Sequence, residues 1–171
     1  MSPLKKFFLM VIILTFVVSI GRIKNIVFAE YTVDGESMQP TLPEGEHFSI
    51  NKWSYKFQDM DRFDIVVFQL PKEKDILVKR VIGLPGDEIE YKNDQLYVNG
   101  EKRKESFLPK EKSEGFNSPL TGDFTLEEVT GEKTVPDDCI FVIGDNRLNS
   151  RDSRHFGFVK MEDVVGKVNP S

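Results

Sequence analysis

From about residue 29 onward, the chain is a succession of short runs rich in β-branched and aromatic residues, each closed by Gly, Pro, Asn or Asp. That pattern belongs to strands and turns. It predicts strands at Tyr31–Val33, His47–Asn51, Asp64–Gln69, Ile76–Leu84, Glu88–Tyr91, Gln95–Val98, Cys139–Ile143 and Val164–Val168. Asn93 and Asp94 between two of these runs form a hairpin signal, and Asn99-Gly100 is a second turn signal. No segment of this region carries a long apolar period of 3.6 residues, so the expected core is built from strands. Residues 102–133 break the pattern: they are rich in Lys, Glu, Ser, Gly and Pro and poor in aliphatics. They read as a loop-rich insertion or small subdomain between core strands.

The N-terminus is of another kind. Lys5 and Lys6 precede an uncharged run from Phe7 to Ile20, and a second apolar patch, Ile26 to Ala29, follows Arg22 and Lys24. A helix from Phe7 to Phe28 reaches about 33 Å, enough for a hydrocarbon core of ~30 Å. Arg22 and Lys24 then lie near one end, where long side chains snorkel to the interface. A retained single-pass anchor over 7–28, behind a short cytoplasmic stretch 1–6, is one reading. A cleaved secretory signal is the other. Both put the remainder, 29–171, outside the cytoplasm.

Composition removes several function classes. Charged residues are 30 % and the hydrophobic class 39 %, an ordinary globular balance. A net charge of −5 argues against nucleic-acid binding, which needs clustered basic surface. The single cysteine, Cys139, allows no intramolecular disulfide and reads as a small buried residue in a strand. With only two histidines, far apart, no metal-ligand spacing exists, and no cofactor is implied.

Three segments concentrate chemistry. In Asp34-Gly35-Glu36-Ser37-Met38-Gln39-Pro40-Thr41, a serine sits between Gly and Pro straight after a short strand. Such a turn presents a hydroxyl beside backbone N–H groups. In Ile76–Asp87, Lys79 lies within a run of aliphatics. Alternation puts Lys79 on one face with Leu77 and Val81, and Arg80 on the other. On an apolar face the amine is desolvated and its pKa falls. A solvent-facing edge lysine is the competing reading. The third segment, Gly144 to Gly157, packs Asp145, Asn146, Arg147, Ser150, Asp152, Arg154 and His155 behind an apolar strand. It is either a braced loop or a solvated charged one.

Together these segments closely resemble the boxes of type I signal peptidases, the membrane enzymes that remove signal peptides from exported proteins. The order is the same: anchor, Gly-x-Ser-Met-x-Pro-Thr, Arg62-Phe63-Asp64-Ile65-Val66, Lys-Arg-x-x-Gly-x-Pro-Gly-Asp, then Gly-Asp-Asn-x-x-x-Ser-x-Asp-Ser-Arg. The single short anchor and compact insertion are similar to the smaller, Gram-positive form. The resemblance implies an all-β fold: twisted antiparallel sheets in a barrel-like Ser/Lys protease domain, with core at about 29–90 and 134–171 and an inserted β subdomain at about 91–133. It implies Ser37 as nucleophile and Lys79 as general base. Ser150 matches a serine that hydrogen-bonds and orients the lysine. Asp152 and Arg154 match an ion pair bracing the site, and Asp145 and Arg80 match further supports. Tyr31, Val33, Leu42 and Val78 match positions lining shallow pockets that accept small residues at −1 and −3 from the cut. Some relatives carry a serine two places before the nucleophile that helps bind the oxyanion. Here that place is Gly35, so the oxyanion hole is expected to rest on backbone N–H groups, chiefly that of Ser37. The implied partners are signal peptides of preproteins and the lipid bilayer, with a monomeric enzyme in the cell membrane.

Three rivals stand beside this reading. A Ser37–His155–Asp152 triad uses the commoner base. Repressor-like self-cleaving proteases share the dyad but need a DNA-binding domain and no anchor. An anchored β-domain without catalysis would bind a partner only.

Overall fold

The computed structural model describes residues 28–51, 60–71, 73, 75–108 and 119–168, together with Lys5, Phe7, Phe8, Met10, Ile12 and Thr15. The expected anchor over 7–28 falls for the most part outside the described residues. Among those described, no helix is long and apolar enough to cross a membrane. Phe7, Phe8, Met10 and Ile12 are helical and stand 58–61 % exposed.

The rest is a β fold in two sheets. Strands β1 (Phe28–Thr32), β2 (His47–Asn51), β3 (Ile65–Gln69), β4 (Ile76–Gly83), β9 (Cys139–Ile143), β10 (Val159–Lys160) and β11 (Val164–Val168) form one sheet, in the order β1-β2-β11-β3-β4-β9-β10. Strands β5 (Ile89–Lys92), β6 (Gln95–Val98), β7 (Glu101–Arg103) and β8 (Phe124–Thr125) form the second, in the order β7-β6-β5-β8. Every pairing is antiparallel. The larger sheet is a curled half-barrel with β1 and β10 at its edges, in keeping with the barrel-like domain expected.

The second sheet runs within residues 89–125, and its faces share a core with the first. Ile89, Tyr91, Leu96 and Val98 pack with Ile82, Phe141 and Ile143 of β4 and β9. The first sheet buries residues on both of its faces. Val66, Phe68, Val81 and Val142 belong to one cluster, while Ile50, Ile65 and Val67 belong to another. β3 is therefore buried at four consecutive residues, Ile65 to Phe68.

Elements absent from the sequence reading are short. β7 is three exposed charged residues, held by its ladder with β6 rather than by burial. α1 (Leu126–Thr130) is set by a capping box of Thr125 and Glu128 and stopped by Gly131 in the left-handed region. α2 (Ser153–Phe156) takes Asp152 as N-cap. Cys139 opens β9 as expected but is only half-buried.

Candidate active site

β1 ends at Thr32, and the chain turns through Gly35, whose φ of 89° lies in the left-handed region that glycine tolerates. The turn closes with Gln39 N–H donating to the Glu36 carbonyl at 3.0 Å and Leu42 N–H to Met38 at 3.0 Å. Met38 and Leu42, 1 % and 3 % exposed, pin it to the core. Ser37 is left half-buried at the surface. Asn146, from the third chemical segment, clamps the loop from outside. Its backbone N–H donates to the Ser37 carbonyl at 3.0 Å, and its Nδ2 to the Glu36 carbonyl at 3.1 Å.

Lys79 reaches Ser37 from β4, opposite Val66 of β3. Nζ donates to Ser37 Oγ at 2.7 Å and to its neighbour's carbonyl, Val78 O, at 2.9 Å. Only 3 % of the residue is exposed. Of the two sequence readings of this lysine, the desolvated one therefore holds. Burial lowers its pKa to about 8, against a smaller upward pull from the Asp152 carboxylate. Arg80, one residue on, is also buried, because that face of the sheet is covered too. Its guanidinium forks onto Asp145 at 2.8 and 2.6 Å, donates to the Phe63 carbonyl at 2.8 Å, and lies 3.9 Å from the centre of the Phe107 ring. Asp145 also accepts from Thr41 of the serine loop, so this ion pair ties that loop to β4.

Asp152 and Arg154 pair as expected, with Arg154 Nε and Nη2 both 2.9 Å from the carboxylate. Asp152 is fully buried and also accepts from Gly144 N–H at 3.1 Å. Burial pushes its pKa up, but the Arg154 guanidinium, the Gly144 N–H and the nearby Ser150 hydroxyl outweigh that and hold it below the ordinary range. The expected Ser150–Lys79 hydrogen bond is not made, since the bonds of Lys79 go to Ser37 and Val78. Ser150 Oγ is close enough to Asp152 to favour the ionised carboxylate, yet makes no hydrogen bond of good geometry. Gly144 explains the tight packing here. A Cβ on it would overlap both Ser150 Oγ and the Ser37 carbonyl.

His155 is not brought to Ser37. Its side chain is 57 % exposed, and its Nδ1 faces the Asp152 backbone N–H at 3.4 Å within the cap of α2. Ser37 Oγ is bonded to the lysine instead.

Beside Ser37 and Lys79 lies a cleft of about 140 Å³ between Tyr31–Asp34 and Ile76–Lys79. Tyr31, Val33 and Val78 line it as expected. Leu42 does not; it is core beneath the serine loop. Phe48, Ile76 and Leu77 line it unforeseen, because their side chains converge only through strand register. The cleft also has open backbone. β9 pairs with β4 only over Arg80–Gly83, so residues 76–79 have no partner strand on that side among the described residues.

Arg147 is the support that sequence reasoning missed. It is 2 % exposed. It pairs with Glu105 and donates to Thr121 Oγ1 at 2.9 Å and Tyr91 OH at 3.1 Å, all in the second sheet or its flanks. Its carbonyl accepts from Arg154 at 2.9 Å. No local pattern marks a partner 42 residues away.

A buried amine of lowered pKa on a serine hydroxyl, beside an open strand edge, can activate that hydroxyl towards an extended peptide. The family model described as signal peptidase, peptidase S26, matches residues 4–171. A signal peptidase I of Bacillus caldolyticus is 56 % identical over 88 % of this chain and 82 % of its own. Signal peptidase I V of Bacillus subtilis (strain 168) is 48 % identical over 96 % of this chain and 97 % of its own. The crystal structure of a signal peptidase I from Enterococcus faecalis V583 superposes with a TM-score of 0.61 at 44 % identity, covering 66 % of this chain and 98 % of that one. The chain belongs to the signal peptidase family, peptidase S26.

Proposed function

We propose that this protein is a signal peptidase I: an endopeptidase that removes N-terminal signal peptides from exported preproteins, with Ser37 as nucleophile and Lys79 as general base. The observation that carries the reading is the 2.7 Å contact between Lys79 Nζ and Ser37 Oγ, with the lysine 3 % exposed. An ordinary lysine at pKa 10.5 is neutral roughly once in 3,000 at pH 7; at about 8, roughly one in ten is. The neutral amine takes the Ser37 proton as Oγ attacks the scissile carbonyl. The Ser37 N–H receives the oxyanion, Gly35 having no hydroxyl to add. Protonated Lys79 then returns its proton to the leaving amine. In the second half, it takes a proton from the water that hydrolyses the ester.

The substrate enters extended, pairing with the free edge at 76–79. Its small residues at −1 and −3 fill the cleft at Tyr31, Val33 and Val78. Asp145 with Arg80 ties the serine loop to β4, and Asp152 with Arg154 braces the loop that follows β9. No metal or cofactor takes part. Residues 7–28 anchor a monomer in the cell membrane, with 1–6 cytoplasmic and 29–171 outside. The exposed helical Phe7, Phe8, Met10 and Ile12 support a membrane-facing N-terminal segment.

The test is incubation of the full chain, in detergent, with an exported preprotein. Mass spectrometry should find one new N-terminus at the signal–mature junction, and none with Ser37→Ala. An intact precursor, or unchanged cutting by Ser37→Ala, sinks the reading.

A further inference from the structure

A second cavity, of about 400 Å³, adjoins the site without sharing a lining residue with the first cleft. One wall is the loop carrying Arg147, Leu148 and Ser150, another is Arg154 and His155 of α2, and the third is Pro119–Gly122. Ser150 is the junction. Its hydroxyl and the Ser37 carbonyl crowd the same glycine, Gly144, so a single residue separates this cavity from the serine loop. Ser37 and Lys79 line the first cleft, and Ser150 lines this cavity.

Its chemistry is one-sided. Two arginines and a histidine line it, and no carboxylate does among the described residues. The acids that neutralise the arginines, Glu105 and Asp152, are not part of its lining. Two buried side-chain polar atoms lack a hydrogen-bond partner among the described residues: Arg147 Nε and Ser150 Oγ. Both belong to residues of this cavity. As an orphan, Arg147 Nε carries a cost and calls for an explanation, which a rearrangement on binding supplies, while Ser150 Oγ lies against the Asp152 carboxylate. Leu148, 68 % exposed at the rim, is a large apolar side chain with no core to join.

We propose that this cavity receives the first residues of the mature chain, those just after the scissile bond, and selects among them by charge, disfavouring lysine and arginine relative to acidic side chains. The inference rests on Ser37 being the point of cleavage. A polypeptide held in the first cleft by its signal end must leave Ser37 on the far side of the cut. The cavity walled by Ser150 is a concave surface adjoining the serine loop. Its exposed rim keeps the charge effect modest, roughly two- to five-fold.

The test uses the full chain in detergent and two peptide substrates identical up to the cut, with Glu or Lys at the second and third positions after it. Wild type should cleave the Glu substrate with the higher kcat/KM, by a ratio that shrinks with added salt. Leu148→Glu and Pro119→Glu place a carboxylate on different walls of the cavity, each at an exposed position. Either should cancel or invert the ratio. A wild-type ratio of one, or a ratio unmoved in both variants, overturns the cavity's role while leaving the cleavage centre intact. Failure of wild type to cut either peptide removes the cleavage centre itself, and this inference with it.

Discussion

Lys79 concentrates the argument at the scale of single residues. Its type and neighbours were legible in the sequence, as was the serine on its turn. Its burial was not, because alternation along a strand says which face a side chain takes but not whether that face is covered. Depressing its pKa from 10.5 to about 8 costs about 3 kcal/mol, at ~1.36 kcal/mol per pH unit. Between those two values the unfolded chain binds more protons than the folded one, so stability rises with pH across that window. Lys79→Met keeps the stem and removes the titration. Its unfolding free energy should exceed that of wild type by about 1–3 kcal/mol at pH 7, and the gap should close between pH 8 and 10.5. Denaturant titrations at pH 7, 9 and 10.5 measure this, and a variant less stable than wild type at pH 7 contradicts it. Gly144 makes the second residue-scale case. Its lack of a side chain lets Ser150 and the Ser37 carbonyl meet. Gly144→Ala should cut kcat by at least about a hundred-fold, since an ångström of misplacement in a catalytic group costs that much. Near-normal kcat would show that the serine loop tolerates displacement.

Among the elements, the aliphatic strands were legible because burial wrote them into the sequence. β2, β6, β9 and β11 fall where the β-branched and aromatic runs predict them. The strands that escaped, β7, β8 and β10, are two or three residues long and too short to carry a period. The loop from Gly144 to Arg154 escaped in a different way. Its charges left open whether it was braced or solvated, and the answer lies in partners distant in sequence. Arg147 fastens this loop to the second sheet through Glu105, with side chains 0 % and 5 % exposed. Removing one member of such a pair strands a buried charge. Glu105→Ala should cost about 3–5 kcal/mol of stability, and with it activity. The surface pair of Arg151 and Glu73 makes the contrast, because exposed pairs contribute little. Glu73→Ala should melt with wild type. Thermal denaturation of both variants checks the pair, and equal melting temperatures for the two contradict the bracing role of Arg147.

At the level of the whole molecule, the inserted sheet and the half-barrel share one core, so the insertion supports the site as well as decorating it. The all-β class was legible from the absence of a helical period. The joining of the two sheets was not, because it depends on residues far apart in sequence packing into one cluster, such as Leu96 and Phe141. The proposed N-terminal anchor belongs to this scale too. If residues 7–28 hold enzyme and preprotein in one membrane, a chain lacking residues 1–24 should cleave a soluble peptide as fast as the full chain. A preprotein in vesicles should be cut roughly ten-fold or more slowly, through lost effective concentration. Equal rates on vesicles contradict the anchor. The most direct test of the dyad is the dependence of kcat/KM on pH from 6 to 10 for wild type, Lys79→Ala and His155→Ala. Activity that needs neutral Lys79 should rise ten-fold per pH unit and level off near pH 8, with the same limb in His155→Ala and no cleavage in Lys79→Ala. An acid limb that vanishes in His155→Ala while Lys79→Ala still cuts would contradict the assignment of Lys79 as the base.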